Sequence, residues 1–347
     1  MAVLATAPVR LRPRLATPPV IGAPPLVSVI IVNYRRWDET AALVRQLVAE
    51  DHLFRDRIEV CVVDNSGAPE PHPLEQIIQE RYQVPICRLT ENRGFAAGVN
   101  AGFRMGRGRW VLVLNPDLVV CPGFVDLMCA AAIDCDEDAS NGAPVGVVGF
   151  QLRNRDGSHQ LSTGFHPTLA KMVLGLLRPR TRRKYRAPKS DKRQTVPWVT
   201  GSCLLIRRTC MGQIDGFDED FFLYYEDVDL CRRAQEHGWA VCYEPAVRAV
   251  HLDPLQNRPL TEPMRAITRH ASLTYFRKHL SCWQFRGLAQ IIRAEAWLRQ
   301  AWALLRGRAQ DAAICGQLRG VCRDLVRDRL PQARQRLDQV LRIAGMR

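Results

Sequence analysis

Several hallmarks of familiar protein classes are missing from this 347-residue chain. No apolar run approaches the roughly 18 residues that a membrane-spanning helix needs. The twelve cysteines form no CxxC pair and no Cys/His cluster with the spacing of a zinc site. Cys61, Cys87 and Cys203 lie inside apolar runs. These cysteines are therefore predicted to be buried free thiols in a reducing compartment.

The common nucleotide-binding fingerprints are also absent. No GxGxxG follows the first predicted strand, and no GxxxxGK[ST] occurs anywhere in the chain. Both motifs bring glycine backbone close to phosphates at the start of a helix. Their absence argues against a nicotinamide-dependent dehydrogenase and against a P-loop kinase or ATPase.

The net charge of +14 is concentrated in two segments. Residues 171–193 carry ten basic residues and one acid, and residues 281–347 carry thirteen arginines and five acids. The rest of the chain is therefore close to neutral. Charge concentrated in this way predicts contact with an anionic surface or ligand. Residues 1–25 are rich in proline and arginine, so they are predicted to be a disordered cytoplasmic tail and not a signal peptide.

Strands and helices alternate four times between residues 26 and about 117. The apolar run "LVSVIIVNY" suits a strand buried on both faces, and "DETAALVRQLVAE" after it has helical spacing with Asp38 as a candidate N-cap. The segments "IEVCVVDNSG", "VPICRLTE" and "RWVLVLNPD" predict three more strands, separated by the helices "PLEQIIQERY" and "GFAAGVNAGFRMG". This order predicts an α/β domain with a Rossmann-like, mostly parallel open sheet.

Polar residues follow every one of these strands. Ligands of open α/β sheets bind beyond the carboxyl ends of the strands. There the sequence places Asn33 and Tyr34 after the first strand, Asp64 and Asn65 after the second, the segment "ENRGF" after the third, and Asn115 and Asp117 after the fourth. Any one of these residues alone is typical of a turn. Together they predict a binding site at this edge of the sheet.

The segment "FFLYYEDVDL", residues 221–230, joins five bulky apolar or aromatic residues directly to three acids. A buried element does not normally end in acids, and a solvated acidic loop does not begin with aromatic rings. The predicted helix "VDLCRRAQEHG" follows, with Gly238 as its C-terminal glycine. Asp227 is therefore expected near a helix N-terminus, in a cleft.

Seven motifs in order resemble the inverting sugar-nucleotide glycosyltransferases of the A-type fold, particularly their bacterial rhamnosyltransferase-like branch. They are "VSVIIVNY", "VVDNSG", "NRGFAAGVN", "LNPD", "VTGSCLLIRR", "GFDEDFFLYYEDVDLCRR" and "HGW", and the resemblance covers about Val27 to His251. The resemblance implies a single A-type glycosyltransferase domain. It also implies transfer of a sugar, with L-rhamnose from dTDP-rhamnose as the first expectation, to a saccharide acceptor that is lipid-linked in many relatives.

The resemblance implies roles for individual residues. Asp64 would accept the imide N–H of uracil or thymine, and the nucleotide site as a whole would comprise Val32, Asn33, Tyr34, Asp64, Asn65, Asn92, Gly94, Phe95, Gly98, Asn100 and Asn115. Asp117 and His251 would hold a divalent metal, Mn²⁺ or Mg²⁺, against the donor diphosphate. "LNPD" departs from the more general DxD pattern, and "HLDP" lacks the glycine and serine usual after the histidine.

The resemblance assigns the chemistry to "ED". Asp227 would be the base that deprotonates the acceptor, and Glu226 would position donor or acceptor. The rings before them would face the sugar and exclude water. "WVTGSCLLIRR" is expected to be one strand, with Trp198, Gly201 and Ser202 at its mouth near the sugars. A structural role for Trp198 in the core is an equal alternative.

The expected organisation is a catalytic domain over 26–280 followed by a basic amphipathic helical extension over 281–347. The domain divides into a nucleotide-binding half, 26–120, and an acceptor-binding half, 121–280, which contains the basic loop 171–193. In the extension, Leu288, Ile292 and Trp302 belong to an apolar helix face that either meets an anionic membrane or packs on the domain. The protein is expected to be cytoplasmic and peripheral on the inner face of the cell membrane.

Three alternatives to this reading remain. The same chemistry with UDP-galactofuranose or a UDP-N-acetylhexosamine fits the motifs equally. A catalytically inactive sugar-nucleotide-binding scaffold is compatible with the departures in "LNPD" and "HLDP". A nucleic-acid-binding protein would explain the charge, but the basic segments lack interleaved aromatic residues for stacking.

Overall fold

A computed structural model of the protein describes residues 24–51, 57–137, 142–175, 185–188, 190–254 and 260–347. Nearly all of the predicted N-terminal tail, together with 176–184 and 189 of the basic loop, lies outside the described residues.

The first half of the chain forms the predicted parallel sheet. Its strands are β1 (Val27–Asn33), β2 (Ile58–Asp64), β3 (Ile86–Arg88) and β4 (Trp110–Leu114), and they lie in the order β3-β2-β1-β4 with every pair parallel. The helices between them are α1 (Trp37–Asp51), α2 (Pro73–Tyr82) and α3 (Phe95–Met105). Asp38 lies in the first turn of α1 and is not its N-cap, which corrects that prediction.

The second half extends the same sheet in mixed directions. In chain order it contains β5 (Leu118–Val120), α4 (Phe124–Glu137), β6 (Val145–Asn154), β7 (His159–Gln160), β8 (Thr163–Gly164), α5 (Leu169–Gly175), β9 (Tyr185–Arg186), β10 (Gln194–Thr195), β11 (Trp198–Val199), β12 (Cys203–Arg207), α6 (Arg208–Gln213), α7 (Glu226–Glu236) and β13 (Ala240–His251). β12 is antiparallel to both β4 and β6, whereas β13 is parallel to β6.

The segment "WVTGSCLLIRR" is two strands and not the one that was predicted. β11 pairs with β8 in a small separate sheet, and β12 lies in the main sheet. The chain turns between them at Thr200–Ser202. Because β12 is antiparallel to β4, this turn lies at the carboxyl end of β4, beside Asn115.

Four helices follow the sheet. They are α8 (Glu262–His279), α9 (Cys282–Leu305), α10 (Ala309–Val326) and α11 (Leu330–Ile343), which confirms a helical C-terminal region. α8 supplies buried Tyr275 and Phe276 to the same apolar cluster as Tyr225 of the "FFLYYED" segment. The C-terminal helices therefore pack on the same face of the sheet as α7, the helix that begins with Glu226 and Asp227.

All twelve cysteines are free, as predicted, and nine of them are buried. Burial raises the pKa of the Cys61 thiol to about 12, so this thiol is not a nucleophile at neutral pH. Among the helices that the structure describes, none has an apolar stretch long enough to cross a bilayer.

Candidate active site

The carboxyl ends of β1 and β2 bring two predicted nucleotide-binding residues together. Asn33 and Asp64 are paired in register, and Asn33 Nδ2 donates to Asp64 Oδ1 at 3.0 Å. Ser66 donates to the same carboxylate through its N–H, at 3.2 Å to Oδ1, and through its hydroxyl, at 2.8 Å to Oδ2. Asn33 and Asp64 are both buried. The Asp64 carboxylate is thus held in one orientation at the edge of the sheet where a binding site is predicted.

The loop "ENRGF" is fastened to the end of β2. Asn65 Nδ2 donates to Asn92 Oδ1 at 3.1 Å and to the Gly94 carbonyl at 3.0 Å, and Asn65 Oδ1 accepts the Arg93 N–H at 3.0 Å. The Gly94 N–H returns to Asn92 Oδ1 at 3.0 Å. This network fixes the loop that the resemblance predicts to border the nucleoside.

The glycines of α3 allow close packing. A Cβ on Gly98 would lie 2.6 Å from Val32 Cγ1, and a Cβ on Gly94, whose φ is +95°, would lie 2.4 Å from the Phe222 carbonyl oxygen. The N–H groups of Phe95 and Gly98 donate to the carbonyls of Phe222 and Gly94. Three N–H groups at this helix start, including that of Gly94, are therefore already bonded within the protein.

Both the Nδ2 and the Oδ1 of Asn100 form hydrogen bonds within the protein. Nδ2 donates to the Phe217 carbonyl at 2.8 Å and to Glu219 Oε1 at 3.1 Å, while Oδ1 accepts the Phe217 N–H at 2.9 Å. Asn100 thus anchors the turn that leads into the aromatic segment. A place for Asn100 or Gly98 beside the diphosphate remains a prediction.

Asp117 and His251 meet, as expected for a shared metal site. His251 Nε2 lies 3.3 Å from Asp117 Oδ1, and both side chains are buried. Arg36 joins the group, with Nη1 3.1 Å from Asp117 Oδ2 and Nη2 2.9 Å from Asp253 Oδ2. His251 Nδ1 is buried and has no hydrogen-bond partner among the described residues.

This donor set suits a divalent cation that is completed by a substrate. A carboxylate and an imidazole are ligands of Mn²⁺, and a hard cation in such sites takes its other ligands from phosphates and water. Within the described ranges, no group of three His, Cys, Asp or Glu side chains is placed to hold a metal by itself. Asp117 and His251 fit a metal that is bound together with a diphosphate.

Asp227 lies in the first turn of α7, as predicted, and is oriented by backbone donors. Its Oδ2 accepts the Gly201 N–H at 3.1 Å and its Oδ1 accepts the Val228 N–H at 2.8 Å. Asp227 and Glu226 are 7% and 6% exposed. A buried carboxylate that keeps a small exposed fraction can receive a hydroxyl without being freely solvated.

Two consecutive residues before the acids have left-handed backbone. Tyr224 has φ +74° and Tyr225 has φ +67°. Such conformations cost on the order of 1–3 kcal/mol each for ordinary side chains and cluster at functional sites. This turn leads directly into α7, where Asp227 lies beside Gly201.

The rings before the acids are core residues, which corrects the expectation that they face a sugar. Phe221, Phe222 and Tyr225 are buried, and Tyr225 packs on Tyr275 of α8 with ring centroids 5.6 Å apart. The half-buried Tyr224 donates its hydroxyl to the Met264 sulfur at 3.2 Å. The apolar backing behind the acids is therefore present, but Phe221, Phe222 and Tyr225 present no open ring face.

Asp229, the third acid, is a fully buried ion-pair centre. His279 Nε2 and Lys278 Nζ lie 2.6 Å and 2.9 Å from its Oδ1, and Arg233 Nε lies 2.6 Å from its Oδ2. Burial alone would raise the pKa of Asp229. The hydrogen bond from His279 and the charges of Arg233 and Lys278 outweigh burial and lower this pKa to about 2. Asp229 thereby ties α7 to α8.

Trp198 does not face a sugar. It is completely buried, its Nε1 donates to the Phe165 carbonyl at 3.0 Å, and its ring packs against Tyr185. Of the two alternatives for Trp198, the structural role is the one observed. Gly201 and Ser202 do lie at the site: Gly201 contacts Asp227, and the Ser202 carbonyl accepts the Asn115 N–H at 2.9 Å.

Sequence reasoning missed several residues at this edge. Arg36 and Asp253 complete the group around Asp117. They stand three residues after the end of β1 and two residues after His251, and those positions were the signal that could have identified them. The segment Gly345–Arg347 also reaches two of the predicted nucleotide-binding residues, with Met346 O accepting from Tyr34 Oη and Asn92 Nδ2. No sequence signal points to a contact across more than 250 residues.

Comparison with known proteins agrees with this arrangement. The family model "Glycosyltransferase like family 2" matches residues 24–286. The chain belongs to this family. The resemblance inferred from the motifs is thereby confirmed, and the mixed, mostly parallel sheet with flanking helices is the A-type glycosyltransferase fold.

Two relatives and one solved structure illustrate the similarity. The N-acetylglucosaminyl-diphospho-decaprenol L-rhamnosyltransferase of Mycobacterium tuberculosis is 38% identical over 212 residues, which are 56% of this chain and 66% of that protein. The rhamnosyltransferase WbbL of Escherichia coli is 26% identical over 67% of this chain and 86% of its own length. The mannosyltransferase PcManGT of Pyrobaculum calidifontis, solved with GDP-Man and Mn²⁺, is 18% identical over 92% of this chain and 90% of its own, with a TM-score of 0.49. A structural likeness at this level transfers neither ligand nor metal.

Proposed function

We propose that this protein transfers L-rhamnose from dTDP-rhamnose to a lipid-linked saccharide, with inversion at the anomeric carbon. The observation that carries the chemistry is Asp227. Backbone donors hold its carboxylate at the edge of the sheet where the strand-end polar residues gather. The names of the relatives from M. tuberculosis and E. coli support rhamnose as the sugar.

Asp64 is the proposed reader of the base. A carboxylate offers about four acceptor positions. Asn33 and Ser66 use three of them in the structure. The remaining position accepts the imide N–H of thymine or uracil, and it disfavours cytosine, which has no donor at that atom.

Asp117 and His251 are the proposed metal-binding residues. A bound Mn²⁺ or Mg²⁺ would neutralise the charge that grows on the departing diphosphate. Arg36, which is bonded to Asp117, is a permanent positive charge at the same place. Asn115 adds an amide without charge. Asp117 is the acid that would contact the metal, and Asp253, the other acid of this group, is bonded to Arg36.

Asp227 is the proposed base. Its two backbone hydrogen bonds, from Gly201 and Val228, orient the carboxylate at the start of α7. It takes the proton of the acceptor hydroxyl as that oxygen attacks the anomeric carbon and the nucleoside diphosphate leaves. Glu226, the neighbouring acid, orients the acceptor or donor sugar.

The test of this chemistry is the Asp227→Asn variant, which keeps the shape and removes the base. Transfer from dTDP-rhamnose to a polyprenyl-diphosphate-linked N-acetylglucosamine should fall at least about 100-fold, while dTDP binding stays the same. Asp220→Asn, a change of an exposed acid in the same segment, is the matched control and should keep its activity.

Three outcomes would reject parts of the proposal. Transfer at the normal rate by Asp227→Asn would show that another group is the base. Wild-type transfer from UDP-galactofuranose or UDP-N-acetylglucosamine in preference to dTDP-rhamnose would replace the donor, and absence of turnover with every donor would favour an inactive scaffold.

The acceptor proposal rests on a two-faced helix. Helix α9 buries Leu288, Ile292 and Ala296 against its own domain. Its opposite face is exposed and apolar over almost the whole helix, with Trp283, Ile291, Trp297, Leu298, Trp302, Leu304 and Leu305 each 46–86% exposed. An apolar surface of this kind on a folded protein marks an interaction site.

We propose that this face of α9, called here the α9 face, lies in the headgroup region of an anionic membrane. Tryptophans beside arginines are typical of interfacial helices. Arg306 lies 4.7 Å from the Trp302 ring, and Arg286 and Arg293 are exposed on the same helix. Docking at the cytoplasmic leaflet brings a lipid-linked acceptor to the protein and concentrates the basic segments there, at about 1 kcal/mol per basic residue.

Liposome sedimentation separates the apolar and basic contributions. Changing Trp283, Trp297 and Trp302 to Ser should abolish binding, whereas Ile133→Ser, which removes an exposed apolar residue of α4, should leave it unchanged. Changing Arg180, Arg182, Arg183, Lys184 and Arg186 to Gln should weaken only the salt-sensitive part. Equal binding of the tryptophan variant and the wild type would refute the α9 face as the docking surface.

A further inference from the structure

The end of the chain contacts the predicted nucleoside pocket directly. The Met346 carbonyl accepts from Tyr34 Oη at 3.3 Å and from Asn92 Nδ2 at 2.9 Å. The neighbouring Gly345 carbonyl accepts from Arg35 Nη1 at 3.0 Å. Two residues expected to border the nucleotide therefore share one main-chain acceptor that lies more than 250 residues away in sequence.

Arg347 fastens this segment to the "ENRGF" loop. Its guanidinium donates to both Glu91 oxygens, at 2.9 Å and 2.7 Å, and also to Asp338 of α11. The hydrogen bond from Arg347 lowers the pKa of Glu91, so this pair is ionised at neutral pH. The Arg347 guanidinium thus joins the "ENRGF" loop to α11.

Met346 is held on its other side by the helical region. Its N–H donates to the Leu341 carbonyl at 2.9 Å. Its side chain packs against the small apolar cluster of Phe222, Leu337 and Leu341. The segment is therefore a built part of the fold with a fixed position relative to α11 and the aromatic segment.

The contact determines how the Asn92 amide is oriented. Asn92 Oδ1 accepts from Asn65 Nδ2 and from the Gly94 N–H, so its Nδ2 must point away from them, and there it meets the Met346 carbonyl. Each side of the amide has its own partner. Loss of the Met346 carbonyl would leave an amide donor unpaired and free the loop to rotate.

We propose that Gly345–Arg347 is a positioning segment of the donor site, which holds Tyr34 and the loop from Glu91 to Gly94 in the conformation that receives the nucleoside. This inference rests on the proposed function, because it assumes that the pocket binds a nucleoside diphosphate. Asp64, the proposed reader of the base, is held by Asn33 and Ser66 and not by this segment. Changes in the segment should therefore move Tyr34 and the loop but leave Asp64 in place.

Arg347→Ala is the test, with Arg347→Lys as the conservative variant and Arg342→Ala, a change of an exposed arginine of α11, as the matched control. Arg347→Ala should raise the dissociation constant of dTDP and the donor KM about fivefold or more. It should leave kcat and the acceptor KM within about twofold. Arg347→Lys should recover part of the affinity, because lysine keeps the charge but not the fork, and Arg342→Ala should match the wild type.

A second measurement addresses the loop itself. Hydrogen exchange of the backbone amides of residues 91–94 should accelerate in Arg347→Ala and not in Arg342→Ala. Tyr34→Phe should cost less donor affinity in the Arg347→Ala background than in the wild type, because neighbouring groups in one network are not additive.

The outcomes distinguish this inference from the proposed function. Tighter dTDP binding by Arg347→Ala would mean that the segment competes with the donor, and an unchanged dissociation constant with only a lower melting temperature would mean a purely structural role. Either result overturns the inference and leaves the proposed function standing. Wild-type protein that binds neither dTDP nor UDP overturns both.

Discussion

Asp229→Asn is the substitution whose effect on the free energy of unfolding follows most directly from the structure. Asp229 is fully buried and bonds to Arg233, Lys278 and His279. Its pKa falls from 3.8 to about 2, which is just under two units. At about 1.36 kcal/mol per unit, the charged form stabilises the fold by roughly 2.5 kcal/mol. We expect a loss of this order in the free energy of unfolding at pH 7, because removal of one partner leaves buried charges uncompensated.

The pH dependence of this loss has a defined sign. The pKa of Asp229 is lower in the folded state than in the unfolded state, so its stabilisation is complete above about pH 4 and disappears as the pH falls through about 2. The difference in stability between wild type and Asp229→Asn should therefore shrink over that window. Urea unfolding monitored by circular dichroism at several pH values measures it.

The matched control is Asp328→Asn. Asp328 forms a similar ion pair with Arg277 of α8, at 2.6 Å, but its side chain is 77% exposed. Exposed pairs contribute at most about 1 kcal/mol. If Asp229→Asn destabilises the protein no more than Asp328→Asn does, then the buried network does not brace α7 against α8.

Three further predictions concern packing, burial and metal. Gly98→Ala should cost about 1–3 kcal/mol of stability in thermal unfolding, because its Cβ would lie 2.6 Å from Val32 Cγ1, whereas Gly212→Ala, with open space around it, should be neutral. Burial and then the charge of Arg334 lower the pKa of His270 to about 3, so wild-type stability should fall as the pH drops from about 6.5 toward 3. His270→Leu should reduce this dependence of stability on pH, and an unchanged dependence would mean that another group causes it. A chelator should weaken donor binding to wild type and have no effect on Asp117→Ala, and full wild-type affinity without metal would contradict the metal proposal.

Local pattern was enough to predict the parallel sheet of the first half of the chain. The apolar runs of β4 and of most of β1 are continuous because these strands are buried on both faces, and such burial is visible in the sequence. The carboxyl ends of parallel strands lie at one edge, so the proximity of Asn33 to Asp64 followed from the fold class. Asp227 at the start of α7 and Gly238 at its end were predictable for the same reason, since helix termini have local chemistry.

Long-range packing decided what local pattern could not. Aromatic residues before "ED" have the same composition whether they face a sugar or the core, and only the packing of α8 on Tyr225 distinguished the two. Trp198 is similar, because its burial depends on Tyr185 and Phe165, which no spacing rule brings to it.

Residues close together in the chain were enough to predict the family, the parallel sheet and the edge where the polar residues gather. Tertiary structure alone decided that Arg36 and Asp253 join Asp117, that α9 keeps one apolar face exposed, and that the Met346 carbonyl meets Tyr34 and Asn92. The physical reason is that a hydrogen bond between distant segments requires no particular local sequence pattern. It depends on the path of the whole chain, which folding sets and residue spacing does not record.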